Sequence, residues 1–440
     1  MNMTIFIPLV IGLQLFYWFV ARKSSKATKG KEDYFLAGRS VKFFPLAMTF
    51  FAAWLGGGAI LGAADEAYTI GWPVIFYPLG AALGFILLGS GIGKKMASFP
   101  VSTVAELFEN IYGSPFLKKV ASLLSITSLF MILVAQIMAS HKFLISIHLT
   151  NPLFFVLFWS VIVIYTVQGG LRAVISTDLV QAIVFSTILL FCAFFLSSNV
   201  VIDSIHVQTF GQFSSKLSGW LLMPIFFMFI EQDMGQRCFA GACGKTVSKA
   251  AISAGIGVIL IGVIPIFFGC AARQLGIEVP PNASVLMVAI ETLTNPWVTA
   301  LAGCAVLAVI ISTATSLINA ISSNVSNDFK LGTNPRLITS VISILAIVAS
   351  FYFQNILGLL IQSYELSVSS LLIPVLLGIF RRRGPFISAL LAILFGFIGF
   401  FLFRLMPIGC PREIASLILS LVGYGCGELI ARTSSPALKV

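Results

Sequence analysis

Residues 250–272, 292–327 and 385–403 contain no Asp, Glu, Lys or Arg, and further apolar runs of similar length precede them. A helix of about 20 apolar residues crosses the hydrocarbon of a bilayer. In lipid every backbone N–H and C=O must be satisfied inside the protein, so long continuous runs of this kind read as spanning helices. Composition agrees: of 440 residues, 58% are hydrophobic and only 10% are charged. A soluble domain of this size needs more charge on its surface. The expected fold is an all-α polytopic membrane protein, one transmembrane domain covering residues 1–440.

Hydropathy and length predict thirteen spans, at about 3–21, 43–69, 71–93, 119–147, 152–168, 176–202, 218–235, 249–271, 297–327, 336–354, 356–380, 385–407 and 413–431. Arg22, Lys23 and Lys26 follow the first apolar run instead of preceding it. That order argues against a signal peptide, so the run is taken as a span with its N-terminus outside. Basic residues gather in alternate loops, at Arg22–Lys42, Lys94–Lys95, Lys118–Lys119, Arg172, Arg237–Lys249 and Arg381–Arg383. The rich side is cytoplasmic, which puts the C-terminus inside and the protein in the inner or plasma membrane. The net charge of +11 is then a topology signal and not one for nucleic acid. The seven cysteines lie mostly within apolar runs and read as small buried hydrophobes. His141, His148 and His206 are too dispersed for a metal site.

Within the ninth run, Ser312, Thr313, Thr315, Ser316, Asn319, Ser322, Ser323 and Asn324 crowd into a few turns. A helical hydroxyl can bond back to a carbonyl one turn earlier, which accounts for any one of them. Ser312, Thr315 and Ser316, however, share a face, and clustered oxygens suit a hard cation. The second span contains Gly56, Gly57 and Gly58, a poor sequence for a helix. Two readings stand: close packing against a neighbouring helix, or a break that frees carbonyls to line a cavity. The seventh span holds Pro224, near an expected kink. Interrupted helices at matching positions of two halves point to a transporter's binding site.

Four local patterns resemble one family. They are Asp33-Tyr34-Phe35-Leu36-Ala37-Gly38-Arg39, Gly169-Gly170-Leu171-Arg172 continuing to Thr177-Asp178 and Gln181, Glu231-Gln232-Asp233 continuing to Gln236-Arg237, and Ser312-Thr313 continuing to Ser322-Ser323 and Asn327-Asp328-Phe329. In order and spacing they are similar to the sodium:solute symporter family. That family includes proline, pantothenate, sugar and sialic acid transporters. The resemblance covers about residues 30 to 385 and implies a LeuT-like core. It would consist of inverted five-helix repeats at 43–202 and 218–380, flanked by one extra helix within 1–42 and two within 385–440, with solute and ion near the midplane. It further implies sodium held by the backbone carbonyls of Ala52 and Leu55 and the hydroxyls of Ser312 and Thr313. The break reading of Gly56, Gly57 and Gly58 follows, with these glycines beside the solute. Some members have a further hydroxyl where this chain has Val309, and proline transporters have an aspartate where it has Trp54.

Asp178, at the cytoplasmic end of its span, reads either as a helix cap or as a group on the ion's way out. In some members the matching aspartate joins two hydroxyls, at the positions of Thr315 and Ser316 here, around a second sodium. Gln362 resembles a position that can contact sugars; otherwise it is an interhelical hydrogen-bonding residue. Gln136 reads as packing or as a site group. Asp65 and Glu66 read as interfacial. Tyr68, Trp72 and Tyr77 read as an aromatic belt, and Gln236 with Arg237 as a structural cytoplasmic loop. Glu365 has no counterpart in the resemblance.

The expected function is symport of a small organic solute, an amino acid, sugar, vitamin or carboxylate, driven inward by sodium through alternating access. Na+ is the coupling ion, no organic cofactor is expected, and the bilayer and the solute are the partners of a functional monomer. The alternative is the same fold driven by protons, with Asp178 as carrier. A membrane enzyme is disfavoured by the lack of a His/Glu metal pair, nucleophile elbow or phosphate loop. The remaining alternative is a sensor or channel with no coupled transport, and the lack of a fused signalling domain counts against a sensor.

Overall fold

The structure is a computed structural model that describes residues 2–26, 28, 30–149, 151–197, 210–329, 335–353, 355–406 and 409–434. The end of the predicted sixth span, His206 and the last residues of the tail lie outside these. The described chain is helical throughout, and its only pairing of β type is an isolated bridge between Val41 and Gly241. In chain order the principal helices are α1 (Met3–Ser25), α2 (Phe43–Trp54), α3 (Gly57–Ile70), α4 (Phe76–Leu87), α5 (Pro115–Ser146), α6 (Pro152–Ser197), α7 (Phe210–Phe227), α8 (Gln232–Ala240) and α9 (Gly244–Gln274). They continue with α10 (Pro296–Asp328), α11 (Pro335–Ser350), α12 (Ile356–Arg381), α13 (Phe386–Leu405) and α14 (Arg412–Ser434).

Among the described residues nine helices are long and apolar enough to cross a membrane, and the bent pair α2–α3 makes up to ten. The thirteen predicted spans are therefore only partly matched by that criterion. The fifth and tenth correspond to the short apolar stretches Pro152–Val163 and Ser340–Ser350. The fifth and sixth are not separated by a loop. They run as α6, which changes direction at Gly170, where φ is +60°. A Cβ there would stand 2.7 Å from the Tyr34 ring and from its backbone oxygen. Only glycine combines that backbone with so close an approach. Arg172 beyond the turn donates to Asp33 at 3.0 Å. Two of the four sequence patterns thus dock on each other.

The seventh span also differs from its prediction. Pro224 sits inside α7, and the helix stops only at Phe227. Met228, Phe229 and Ile230 form a turn, and α8 starts afresh behind Glu231. The carboxylate of Glu231 accepts from the Met234 N–H at 3.0 Å, an N-cap that satisfies one orphan donor of the new helix.

α10 is the centre of the molecule. Nearly all of its side chains are buried, and it packs on α6, α5, α1 and α2–α3. By contrast α1, α13 and α14 expose rows of large apolar side chains, including Leu15, Phe19, Phe401, Leu421 and Leu429. Exposed apolar stripes on long apolar helices suit a lipid solvent.

Candidate ion and solute site

The break between α2 and α3 turns the chain by 48°. In a continuous helix the Gly56 N–H would reach the Ala52 carbonyl. Instead it donates to Trp54 O at 2.8 Å, with Leu55 at φ −74°, ψ 70°. This is an inverse γ-turn, and it removes Ala52 O from the helical ladder. The hydroxyl of Thr313 on α10 donates to that oxygen at 3.4 Å. The triple glycine serves both readings raised by the sequence. A Cβ on Gly56 would stand 2.8 Å from Gln136 and 2.9 Å from the Thr313 hydroxyl, and one on Gly57 would stand 2.1 Å from Ile310. α3 begins at a break and is also pressed against α10. Gln136 completes the corner: its Oε1 accepts from Gly58 N–H at 3.1 Å.

Ser312 donates to Asp178 Oδ1 at 2.7 Å, and Thr49 donates to Oδ2 at 2.6 Å. Each hydroxyl spends its proton there and keeps its lone pairs. At the break Thr313 thus meets Ala52 across the helices, with Leu55 inside the turn and Ser312 next to Thr313 in the chain; oxygens of this kind are what hard cations take. Asp178 does not face solvent as a helix cap. It is fully buried, and its Oδ2 also accepts from Arg237 Nη2 at 3.1 Å. The same nitrogen reaches Ser316 Oγ at 2.7 Å. Thr315 bonds back to Ser312 O at 3.0 Å.

Arg237 is the main correction to the sequence reading. It was expected in a cytoplasmic loop; it is wholly buried on α8. Its guanidinium joins Asp178, Ser316, Thr49 and Asp233. The signal in the sequence was Asp233 one turn ahead of it, a pairing register on a helix. Gln236 beside it donates to Phe35 O at 2.6 Å and to Asn319 at 3.1 Å, so the first, third and fourth sequence patterns also converge.

A small cavity lies where the two breaks face each other. Ala53, Trp54 and Ala59 line it from the first break, and Phe227, Met228, Glu231 and Asp233 from the second. Thr313, Gln136 and Tyr364 are also on its wall. Gly56, Gly57 and Gly58 are not; they set the close approach behind it. Gln362 is half-buried and is absent from the lining, where Leu360 and Tyr364 of the same helix stand instead. Tyr77, expected in an interfacial belt, is buried. Its ring lies 5.3 Å from that of Trp54, and its hydroxyl lies 3.1 Å from that of Tyr364.

Beyond α3 a wider opening is lined by Asp65, Glu66, Lys142, Lys216 and Asn355. Asp65 pairs with Lys142 at 2.7 Å and Glu66 with Lys216 at 3.0 Å. These acids are partnered across helices, which the interfacial reading did not foresee. Glu365 is buried and paired with Arg404 at 2.8 Å and Arg412 at 3.5 Å, on the side of α12 that meets α13 and α14.

The family model described as "Sodium:solute symporter family" matches residues 34–396. The sodium/pantothenate symporter of Haemophilus influenzae is 27% identical over the whole of this chain and 99% of its own length. A high-affinity choline transporter of Drosophila melanogaster is 26% identical over 73% of this chain, which spans 57% of that relative's length. Among solved structures, a Na+-coupled sialic acid symporter in a substrate-bound outward-open state superposes with a TM-score of 0.79 at 18% identity, covering 99% of both chains. A nucleobase-cation-symport-1 family transporter in a closed conformation superposes at 0.66 over 90% of this chain and 94% of its own. These likenesses give the fold, a LeuT-like polytopic bundle. With most of its length under the family model and two broken helices meeting at one cavity, this chain belongs to the sodium:solute symporter family.

Proposed function

We propose that this chain moves a small organic solute into the cell by coupling it to one sodium ion that binds at the α2–α3 break. The observation that carries the reading is the Thr313 hydroxyl within 3.4 Å of the Ala52 carbonyl. An unwound backbone carbonyl and a helix hydroxyl meet there, oxygen against oxygen. Ala52 O, Leu55 O, Ser312 Oγ and Thr313 Oγ1 are the proposed ligands. Asp178 takes the protons of Ser312 and Thr49, so it orients lone pairs toward the break. With Arg237 compensating its charge, Asp178 is assigned, with Thr315 and Ser316, to the ion's route to the cytoplasm and not to a second sodium.

The alternating positive loops support an N-terminus outside, a C-terminus inside and thirteen crossings. The repeats are 43–202 and 218–380, each opening on a broken helix. In this orientation the Asp65–Lys142 and Glu66–Lys216 pairs lie on the outer route to the cavity. Sodium joining the end of α2 to α10 favours the state that takes solute from outside; its loss to the cytoplasm lets the solute go. One charge moving down ~100 mV contributes roughly 2.3 kcal/mol, which corresponds to about fifty-fold accumulation of solute. The relatives named for pantothenate and choline make those two solutes the first to try.

Uptake by proteoliposomes tests this. An inward sodium gradient should drive accumulation of at least one solute, with potassium unable to replace sodium. Uptake that ignores sodium and follows a pH gradient would transfer the coupling to protons. A charge-to-solute ratio that requires two sodium ions would return Asp178, Thr315 and Ser316 to a second site.

A further inference from the structure

The cavity between the two breaks has a surplus of acid. Glu231 and Asp233 line it, and behind Asp233 the buried Arg237 is shared between that acid and Asp178, which is also buried. The cavity lining contains no Lys, Arg or His. Glu231 lines the cavity and is 4% exposed. One of its oxygens caps α8, whereas Oε1 is buried and has no hydrogen-bond partner. A buried carboxylate oxygen left unpaired is costly unless something fills the place. A sodium ion at the break supplies one positive charge. The three acids and one guanidinium leave room for a second.

The remaining walls suit a particular bearer of that charge. Trp54, Phe227 and Tyr364 present rings to the cavity. The Phe227 and Tyr364 rings are 4.2 Å apart, and Tyr77 holds Trp54 and Tyr364 from behind. Aromatic faces attract a desolvated ammonium, and cages of them recognise alkylated ammonium groups. At the same cavity the indole Nε1 of Trp54 is buried without a partner, a donor available to a hydroxyl on the same small molecule.

Resting on the symport reading above, we propose that the transported solute is a small organic ammonium ion, with its cationic group set between Glu231 Oε1 and the Trp54, Phe227 and Tyr364 rings. A free carboxylate solute meets like charge at that end of the cavity, and a sugar brings hydroxyl donors to Glu231 but no positive charge.

The test uses the purified full chain in lipid nanodiscs and proteoliposomes. Thermal stabilisation by sodium over potassium is measured first. In sodium, choline and ethanolamine are then titrated beside 3,3-dimethylbutan-1-ol, which replaces the choline nitrogen by carbon, and beside pantothenate and glucose. At least one of the two ammonium compounds should bind, at least about tenfold tighter than the neutral isostere, and should accumulate under a sodium gradient. A preference for choline would place recognition on the rings; a preference for ethanolamine would place it on Glu231. Glu231→Gln should reduce the preference for charge, and because the isostere comparison is made on the unaltered chain, a variant that fails to fold leaves the result intact. Equal binding of choline and its isostere, or sodium-driven uptake of pantothenate or glucose with neither ammonium compound moving, overturns the inference while the symport reading stands. Indifference to sodium with every solute overturns both.

Discussion

Arg237 and Asp178 meet at 3.1 Å with both side chains wholly buried, although 59 residues separate them in sequence. The pair ties α8, behind the second break, to α6, and through Thr49 and Ser312 it reaches α2 and α10. Removing one partner strands the other in a dry interior. Arg237→Ala should therefore destabilise the protein by about 3–5 kcal/mol and abolish uptake. Arg237→Lys should not restore either, because an ammonium lacks the planar fork that serves Asp178, Asp233 and Thr49 together. Thermal denaturation in detergent, read beside uptake, checks both variants.

Ser312→Ala and Thr313→Ala each delete one oxygen from the proposed ion ligands. The half-saturating sodium concentration should rise by roughly tenfold for each, with a smaller change in maximal uptake. Sodium titrations of uptake at fixed solute provide the measurement. Unchanged sodium dependence in the double variant would remove the ion from the break.

Asp178→Asn keeps the size of the side chain and deletes its charge. Arg237 then loses one of its two acids, and one of the Ser312 and Thr49 hydroxyls loses its acceptor, because the amide keeps a single accepting oxygen. The expected result is slower turnover with sodium still required, since the proposed ligands at the break remain. Sodium efflux from preloaded proteoliposomes should slow more than solute binding weakens. Normal efflux would leave Asp178 a structural residue.

Gly57→Ala places a methyl 2.1 Å from Ile310 Cγ1. Overpacking of this kind costs about 1–3 kcal/mol, so the melting temperature should fall. Adding Ile310→Ala should return part of it, because the obstructing atoms leave. Gly170→Ala should be at least as damaging, since a positive φ and the Tyr34 contact both oppose a side chain.

The broken second helix was legible in the sequence because three adjacent glycines are locally unsuited to helix, and the hydroxyl face of α10 because its period is local too. The facing of these two elements was implied only by resemblance to a family. Arg237 was misplaced for a physical reason: a charge near the end of an apolar run reads as interfacial, and what buries it here is pairing with Asp178, remote in sequence. Tyr77 failed similarly. An aromatic one turn past Trp72 looks like a membrane belt until the Trp54 and Tyr364 rings are known to be its neighbours. The break at Met228–Ile230 left a weaker mark than Pro224, which α7 absorbs. Its true signal was the acid pair Glu231 and Asp233, suited to the start of a new helix.

The inverse γ-turn at Leu55 stands between the two proposed seats: Ala52 upstream of it offers its carbonyl to the proposed cation, and Trp54 within it lines the cavity proposed for the solute. Were both readings to hold, an ion and a solute would order the same short stretch, and freedom given up to the first arrival would no longer be there for the second to remove.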